Sequence, residues 1–134
     1  MLPVTLAMRL RGAGLQWLPA RGDRFVVLAP ELEEEVFVLS DMVVEVHEFP
    51  TGPVLGFNGT TEWALDSVDT SRALWLPAED QLRSMLGAEF AALEREGGRH
   101  RVRLADGTAV DAEGAAEAYG LALLHVLTRP ARRA

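Results

Sequence analysis

The strongest strand signal in the sequence is the stretch Met42-Val43-Val44-Glu45-Val46-His47-Glu48-Phe49. Because a strand alternates its side chains with a period of two, one predicted face carries Met42, Val44 and Val46, and the other carries Val43, Glu45, His47 and Phe49. The residues that follow, Pro50-Thr51-Gly52-Pro53, have turn chemistry, and Val54 to Phe57 is a natural returning strand. A hairpin in the middle of the chain is therefore the first predicted element.

Further elements follow on both sides of this hairpin. Strands are predicted over 24–28, 35–39 and 99–104, and helices over 4–13, from Pro77 to Gly97-Gly98, and over 112–127. Residues 61–68 fit either a strand or a short helical turn capped by Thr60 or Thr61, and the alternation of Trp63 and Leu65 favours the strand.

The resulting order, α-β-β-β-β-α-β-α, predicts an α+β fold. We expect an antiparallel sheet of about five strands with helices packed on one face. The length of 134 residues fits a single domain, 1–134, and the arginine-rich residues 129–134 are predicted to form a frayed tail.

Charge is distributed unevenly along the chain. Residues 31–71 contain ten carboxylates and neither lysine nor arginine, which more than accounts for the formal net charge of −7. A surface of this sign repels phosphate backbones and attracts cationic partners or metal ions. We therefore expect no nucleic-acid partner.

The composition excludes several classes of chemistry. The chain has no cysteine, and all its basic residues are arginine. Thiolate nucleophiles, cysteine-ligated metals, Schiff-base chemistry and the lysine-containing P-loop are therefore absent. No apolar run approaches a membrane span, and Arg9 and Arg11 interrupt the apolar N-terminus. A cytoplasmic location without a membrane partner is the expectation.

Several sequence motifs resemble those of a known group of proteins. They are Trp17-Leu18-Pro19, Gly22-Asp23-Arg24-Phe25, Ser40-Asp41-Met42-Val43-Val44-Glu45-Val46, the stretch from Gly56-Phe57-Asn58-Gly59 to Trp63-Ala64-Leu65-Asp66-Ser67-Val68, and Leu74-Trp75-Leu76-Pro77. The chain resembles a family of short, uncharacterised proteins of actinobacteria and similar bacteria, which often carry the label of pilus assembly protein. The resemblance implies a shared fold, and it implies no catalytic residues.

A metal site is one interpretation of the central strand. Asp41, Glu45 and His47 are spaced to share one face, and carboxylate and imidazole ligands suit Mg²⁺, Mn²⁺ or Zn²⁺. Further ligands would have to come from a second element. The alternative is that these residues form the solvated face of a sheet whose other face is buried.

A ligand-binding groove is a second interpretation. Trp17 and Trp63 lie near turns, and the Asn58-Gly59 turn supplies backbone amides beside them. Core packing of the tryptophans and an ordinary hairpin turn explain the same residues, and core packing is favoured for Trp75. The strand Arg99-His100-Arg101-Val102-Arg103 fits phosphate binding, but pairing of its arginines with neighbouring carboxylates is the preferred interpretation.

No catalytic constellation stands out in the sequence, so we expect a non-enzymatic protein. The preferred function is an adaptor or chaperone-like module that binds a protein with a basic surface, as a homodimer and without a cofactor. Small acidic α+β proteins of this order also resemble secretion chaperones and toxin-immunity proteins, at the level of the fold alone. The alternatives are a metal-assisted hydrolase that uses Asp41, Glu45 and His47, and a small-ligand-binding domain that uses Trp63, Asn58 and Trp17.

Overall fold

A computed structural model describes residues 1–29, 35–39, 45–49, 52–56, 68–69 and 72–130, with side chains included except in 45–49, 52–56 and 68–69. The protein combines α-helices with β-strands, so the expected α+β class is confirmed. The chain divides into two compact units. The first unit comprises Met1–Gln16 and Pro77–Ala134, and the second comprises Trp17–Leu76.

The predicted single sheet of about five strands is wrong. The described strands form three antiparallel sheets of three strands each. In spatial order they are Val36–Val38 (β2), Arg24–Val27 (β1) and Ala73–Leu76 (β6); Glu45–Phe49 (β3), Gly52–Gly56 (β4) and Val68–Asp69 (β5); and Phe90–Glu96 (β7), Arg99–Leu104 (β8) and Ala109–Ala112 (β9). Three strands were not predicted, β6, β7 and β9. β7 lies where a helix was predicted, and the short strands β6 and β9 each complete a sheet. The sequence of so short an edge strand shows little alternation of apolar and polar residues, so its strand conformation is determined by pairing with the neighbouring strand.

The first unit contains three helices and one sheet. The elements are α1 (Val4–Gly12), α2 (Glu79–Leu86), a 3-10 turn (Gly87–Glu89), β7 (Phe90–Glu96), β8 (Arg99–Leu104), β9 and α3 (Ala115–Thr128). Helix α3 contacts α1, α2, β8 and β9, which makes it the central element of this unit. Its buried residues are Ala116, Ala118, Tyr119, Gly120, Ala122, Leu123 and Leu124. A helix that is apolar on most of its circumference is stable in water only when it is covered on more than one side.

Helix α2 ends eleven residues before the predicted stop at Gly97-Gly98. It begins with Glu79 and Asp80 in its first turn, and the Gln81 side chain accepts a hydrogen bond of 2.9 Å from the Ala78 backbone N–H. At Gly87, φ is 53° and ψ is −127°, a conformation incompatible with a right-handed helix. The following residues form β7 instead, because they pair with β8 across the Gly97-Gly98 turn.

Helix α3 begins at Ala115 rather than at the predicted residue 112. Ala109–Ala112 pairs with β8 instead, so the Asp106-Gly107 turn connects two strands of a hairpin. In the β7-β8-β9 sheet, Val102, Leu104 and Ala112 are buried. The alternate positions of β8, Arg99, Arg101 and Arg103, therefore share the opposite face.

The second unit contains the other two sheets. Its strands are β1 (Arg24–Val27), β2 (Val36–Val38), β3 (Glu45–Phe49), β4 (Gly52–Gly56), β5 (Val68–Asp69) and β6. The predicted strands at 24–28 and 35–39 and the hairpin of β3 with β4 are present. The predictions for residues 42–44 and 61–67 fall outside the described ranges.

An aromatic cluster stabilises the β2-β1-β6 sheet. Phe25 is fully buried, and its ring centroid lies 5.4 Å from that of Trp17 and 5.5 Å from that of Phe37. Trp17 also stacks on Trp75, with centroids 6.5 Å apart and ring planes within 10°. Offset aromatic pairs of this kind add to the stability gained from burial.

A buried carboxylate orients the Trp17 ring. Asp23 is 4% exposed, and its Oδ2 atom accepts hydrogen bonds from Trp17 Nε1 at 2.8 Å and from the Ala20 backbone N–H at 2.9 Å. The Asp23 backbone carbonyl accepts a further bond from the Leu39 N–H at 2.9 Å. Asp23 therefore links the turn before β1 to the end of β2.

None of the helices in the described part of the chain combines the length and apolarity that a bilayer crossing requires.

The close approach of α1 to α3 gives a first prediction. An alanine Cβ at Gly120 would lie 2.6 Å from Leu2 Cδ1 and 2.8 Å from Leu6 Cδ2. Overpacking costs about 1–3 kcal/mol, and the higher helix propensity of alanine returns about 1 kcal/mol. We predict that Gly120→Ala lowers the free energy of unfolding by about 1 kcal/mol in urea denaturation.

The matched control is Gly12→Ala at the end of α1, where a Cβ would meet no atom within 4 Å. This variant should be at least as stable as the wild type, because alanine restricts the unfolded chain more than glycine does. A Gly120→Ala protein as stable as the Gly12→Ala control would contradict the packing of α1 on α3.

The Asp23 interactions give a second prediction. Asp23→Ala leaves the Trp17 indole N–H and the Ala20 N–H without their acceptor, so it should cost about 2 kcal/mol of unfolding free energy. Trp17→Phe keeps one aromatic ring in the cluster but removes the N–H donor and part of the packed indole, so it should cost at least about 1 kcal/mol. Equal stabilities of Asp23→Ala and wild type in urea would show that these hydrogen bonds do not stabilise the fold.

Candidate functional site

The residues proposed for a metal site are only partly described. Glu45 and His47 occupy alternate positions of β3, as predicted, and Asp41 lies outside the described residues. His47 is opposite Val54, and Val54 is opposite Asp69 on β5, so His47 and Asp69 fall in one cross-strand row. Within the described residues, no group of three or more histidine or carboxylate side chains is placed to hold a metal ion. The metal site stays a prediction.

Of the residues proposed to bind a small ligand, Asn58 and Trp63 lie outside the described residues. Trp17 is half-buried in the aromatic cluster, and Asp23 already accepts its N–H. Trp75, which was expected in the core, is also half-buried, and its Nε1 atom is buried with no hydrogen-bond partner among the described residues. Ligand binding by Trp17 stays a prediction.

The first unit contains a broad, open groove of about 730 Å³. It runs between α1, β9 and α3, and its lining residues are Arg9, Gly12, Ala13, Val110, Asp111, Leu121, Leu124, His125 and Thr128. Leu121 and Leu124 are the less exposed part of this lining, whereas Arg9, Asp111 and Thr128 are exposed. The groove therefore combines an apolar surface with polar groups along its margin.

A network of hydrogen bonds and ion pairs joins one end of the groove to the β8–β9 turn. Asp106 Oδ2 lies 3.1 Å from His125 Nε2 and 3.3 Å from Arg129 Nη1. Arg129 also forms a two-pronged ion pair with Glu89, with N–O distances of 2.9 Å and 2.7 Å. The network connects the end of α3 to both the turn and the 3-10 segment before β7.

Thr108 completes the environment of Asp106. Its backbone N–H donates to Asp106 Oδ1 at 2.8 Å. This hydrogen bond, followed by those from the Thr108 hydroxyl and from His125, holds the pKa of the Asp106 carboxyl far below its usual range. Asp106 is therefore ionised, and it can only accept hydrogen bonds.

The Asp106–His125 pair lacks the geometry of a catalytic pair. Because Asp106 only accepts, His125 Nε2 is assigned as the donor in their hydrogen bond. The nearest hydroxyl, Thr108 Oγ1, lies 3.2 Å from Nε2, the nitrogen that cannot remove its proton. The arrangement therefore holds the turn and the helix together without activating a nucleophile.

On one face of the arginine-rich strand β8, arginines are paired with carboxylates of the neighbouring strands. Arg101 Nε lies 2.7 Å from Asp111 Oδ1, and Arg103 Nε pairs with Glu94 Oε1. The preferred prediction, that these arginines pair with carboxylates of neighbouring elements, is confirmed for Arg101 and Arg103. His100, on the same strand, makes a 3.0 Å hydrogen bond from Nδ1 to the Glu113 carbonyl.

Sequence reasoning did not find the groove or the network. The sequence pattern predicts a tail that includes Arg129 and assigns Asp106 to no functional site. A detectable signal was present, because Asp106-Gly107 lies between alternating residues on both sides, the pattern of a β-hairpin. The contribution of Arg9 depends on the packing of α1, for which the sequence carries no local signal.

No protein-family model matches this chain, and no curated protein and no solved structure is found to match it. The resemblance to the family labelled pilus assembly protein stays a prediction.

The lowered pKa of Asp106 gives a prediction about acid stability. Because the folded-state pKa lies below the unfolded value of about 3.9, the charged carboxylate stabilises the fold at neutral pH. That contribution is lost as the pH falls below about 5 towards the folded-state value. Asp106→Asn should therefore unfold at lower urea concentration than the wild type at pH 7.

At pH 3 the difference between the urea midpoints of Asp106→Asn and wild type should be smaller than at pH 7, because the Asp106 carboxyl of the unfolded wild type is then largely protonated, whereas the folded state must keep it ionised. A difference of the same size at both pH values would contradict a stabilising role for the Asp106 charge.

Proposed function

We propose that the protein is a non-enzymatic, protein-binding module of the adaptor or chaperone type, and that residues 31–71 attract a partner with a basic surface. This stretch contains ten carboxylates and neither lysine nor arginine, so most of its charge is neutralised only by groups elsewhere in the chain or on a partner. Glu35, the one carboxylate of the stretch whose side chain is described, is exposed.

The observation that carries this proposal is the pairing of the arginines in the first unit. Arg101, Arg103 and Arg129 form ion pairs with Asp111, Glu94, Glu89 and Asp106, none of which belongs to residues 31–71. These guanidinium groups are therefore engaged by acids of their own unit. This pairing supports the proposal that the negative charge of residues 31–71 acts on a partner.

The hydrogen-bond geometry also supports a binding role over an enzymatic one. The polar cluster around Asp106 connects structural elements and leaves no activated nucleophile. A partner-binding surface needs no such group, since complementary charge accelerates association and excludes wrong partners. A homodimer stays part of the proposal.

The test compares two variants of equal charge. The first carries Glu31→Gln, Glu33→Gln, Glu34→Gln and Glu35→Gln, and the control carries Glu79→Gln, Glu96→Gln, Glu113→Gln and Glu117→Gln. Proteins captured by chemical crosslinking in a bacterial lysate at low salt are identified by mass spectrometry, and the association rate is measured with the recovered partner. We expect basic partners and an association rate about tenfold lower for the first variant at low salt.

The control variant should associate at nearly the wild-type rate, because its carboxylates lie outside the attracting stretch. The rates of wild type and the first variant should converge as salt is raised, since ions screen exposed charges. Association that is the same for the wild type and the first variant, or that is insensitive to salt, would refute the proposal.

A metal-assisted hydrolase is a second candidate, favoured by one observation. Glu45 and His47 share a face of β3, and the register of β3, β4 and β5 places Asp69 in the same row as His47. Neighbouring strands are about 4.8 Å apart. His47 on β3 and Asp69 on β5 therefore offer ligands from the two strands on either side of β4.

Calorimetry with Mn²⁺ and Zn²⁺ tests this second candidate. It predicts stoichiometric binding that is lost in His47→Ala and retained in His100→Ala, whose ring lies on a strand of the other unit. Absence of heat with both metals would remove the hydrolase from consideration.

A further inference from the structure

Strand β9 has one paired edge and one edge without a strand. It pairs with β8 in the register Val102 to Val110 and Arg103 to Ala109. Within the part of the chain that the structure describes, no strand pairs with its other side. A sheet edge of this kind presents unused backbone donors and acceptors to any extended segment that reaches it.

The hydrogen-bond pattern identifies which backbone groups point outward. The Leu104 N–H donates to the Thr108 carbonyl at 2.8 Å, so these two residues form a hydrogen-bonded pair. In an antiparallel ladder such pairs alternate with pairs that are not hydrogen-bonded. Val110 and Ala112 therefore bond to β8, and Ala109 and Asp111 direct their N–H and C=O groups away from it.

The groove lies beside this outward edge. Val110 and Asp111 form one side of it, Arg9 and Ala13 of α1 contribute to another, and Leu121 and Leu124 of α3 supply its apolar surface. The four residues of β9 extend over about 13 Å. A segment of at least four extended residues therefore fits along the edge, with side chains directed onto the leucines.

The charges around the groove define the chemistry of this segment. Asp111 is paired with Arg101, and His125 is bonded to Asp106 through Nε2. Arg9 is exposed, and within the described residues no carboxylate lies in ion-pair distance of it. The uncompensated charge of the groove is therefore positive, and it favours an acidic side chain.

We infer that the outer edge of β9 is a strand-addition site for an extended segment of a partner protein that carries aliphatic and acidic side chains. The segment adds a fourth strand to the β7-β8-β9 sheet, bonds to the backbone of Ala109 and Asp111, packs on Leu121 and Leu124, and pairs with Arg9. Main-chain bonds supply affinity in this mode, and the side-chain contacts supply specificity. The site lies in the first unit and does not depend on the attraction of basic partners by residues 31–71.

Selection from a displayed library of random ten-residue peptides tests this inference. The library is selected on the wild-type protein, and the affinities of the enriched peptides are then measured by fluorescence polarisation with the wild type and three variants. We expect the enriched sequences to be rich in aliphatic and acidic residues and poor in proline. Bound peptide should also slow hydrogen exchange at the amides of Ala109 and Asp111.

Ala109→Pro removes one outward N–H and leaves the bonds between β8 and β9 intact, so it should weaken binding by about tenfold or more. Its matched control, Ala109→Val, keeps the N–H and should bind like the wild type. Arg9→Ala should weaken binding of acidic peptides by about fivefold. It gives an independent readout if circular dichroism shows that Ala109→Pro does not fold.

Three results would overturn the inference. The first is the absence of any enriched peptide. The second is enriched peptides that are basic, or that bind Arg9→Ala as tightly as the wild type. The third is protection of the Ala109 and Asp111 amides from hydrogen exchange that rises with protein concentration in the absence of peptide. The last result would assign the edge to a second copy of this chain.

Discussion

The burial of α3 is the constraint on which the first unit depends. Seven of its residues, from Ala116 to Leu124, are buried, so the helix is stable only when β8 and β9 cover it together with α1 and α2. Gly120 allows Leu2 and Leu6 to approach α3 closely, because these side chains occupy the space that a Cβ would fill. The ion pairs of Arg129 with Glu89 and Asp106 then fix the end of the helix against the hairpin.

This arrangement also determines which surfaces are left for binding. Helix α3 packs on β8 and β9, and the opposite face of the sheet carries arginines that pair with acids of the same sheet. Among the described strands the outer edges of β7 and β9 stay unpaired, and the groove adjoins the edge of β9. Ion pairs between exposed groups add little stability, but they neutralise the charge of a face that would otherwise compete for anionic partners.

Sequence patterns predicted the elements whose signals are local. The helix predicted over 4–13 is α1, and the alternation in 42–49 indicated a strand, of which β3 is the described part. The helix predicted through residue 97 was wrong because Ala91, Ala92 and Leu93 suit a helix in isolation, whereas pairing with β8 makes them a strand. The groove was not predictable, because it depends on the packing of α1 beside β9, two elements that lie about a hundred residues apart in the chain.

The central claim is that the carboxylates of residues 31–71 face outward and act on a partner. Footprinting with a carbodiimide and glycine ethyl ester, read by mass spectrometry after pepsin digestion, measures the accessibility of each carboxylate. Exposed Glu113 and buried Asp23 provide internal references for fast and slow labelling. The account predicts that the carboxylates of 31–71 are labelled at rates close to that of Glu113. Labelling as slow as that of Asp23 across the stretch would contradict it.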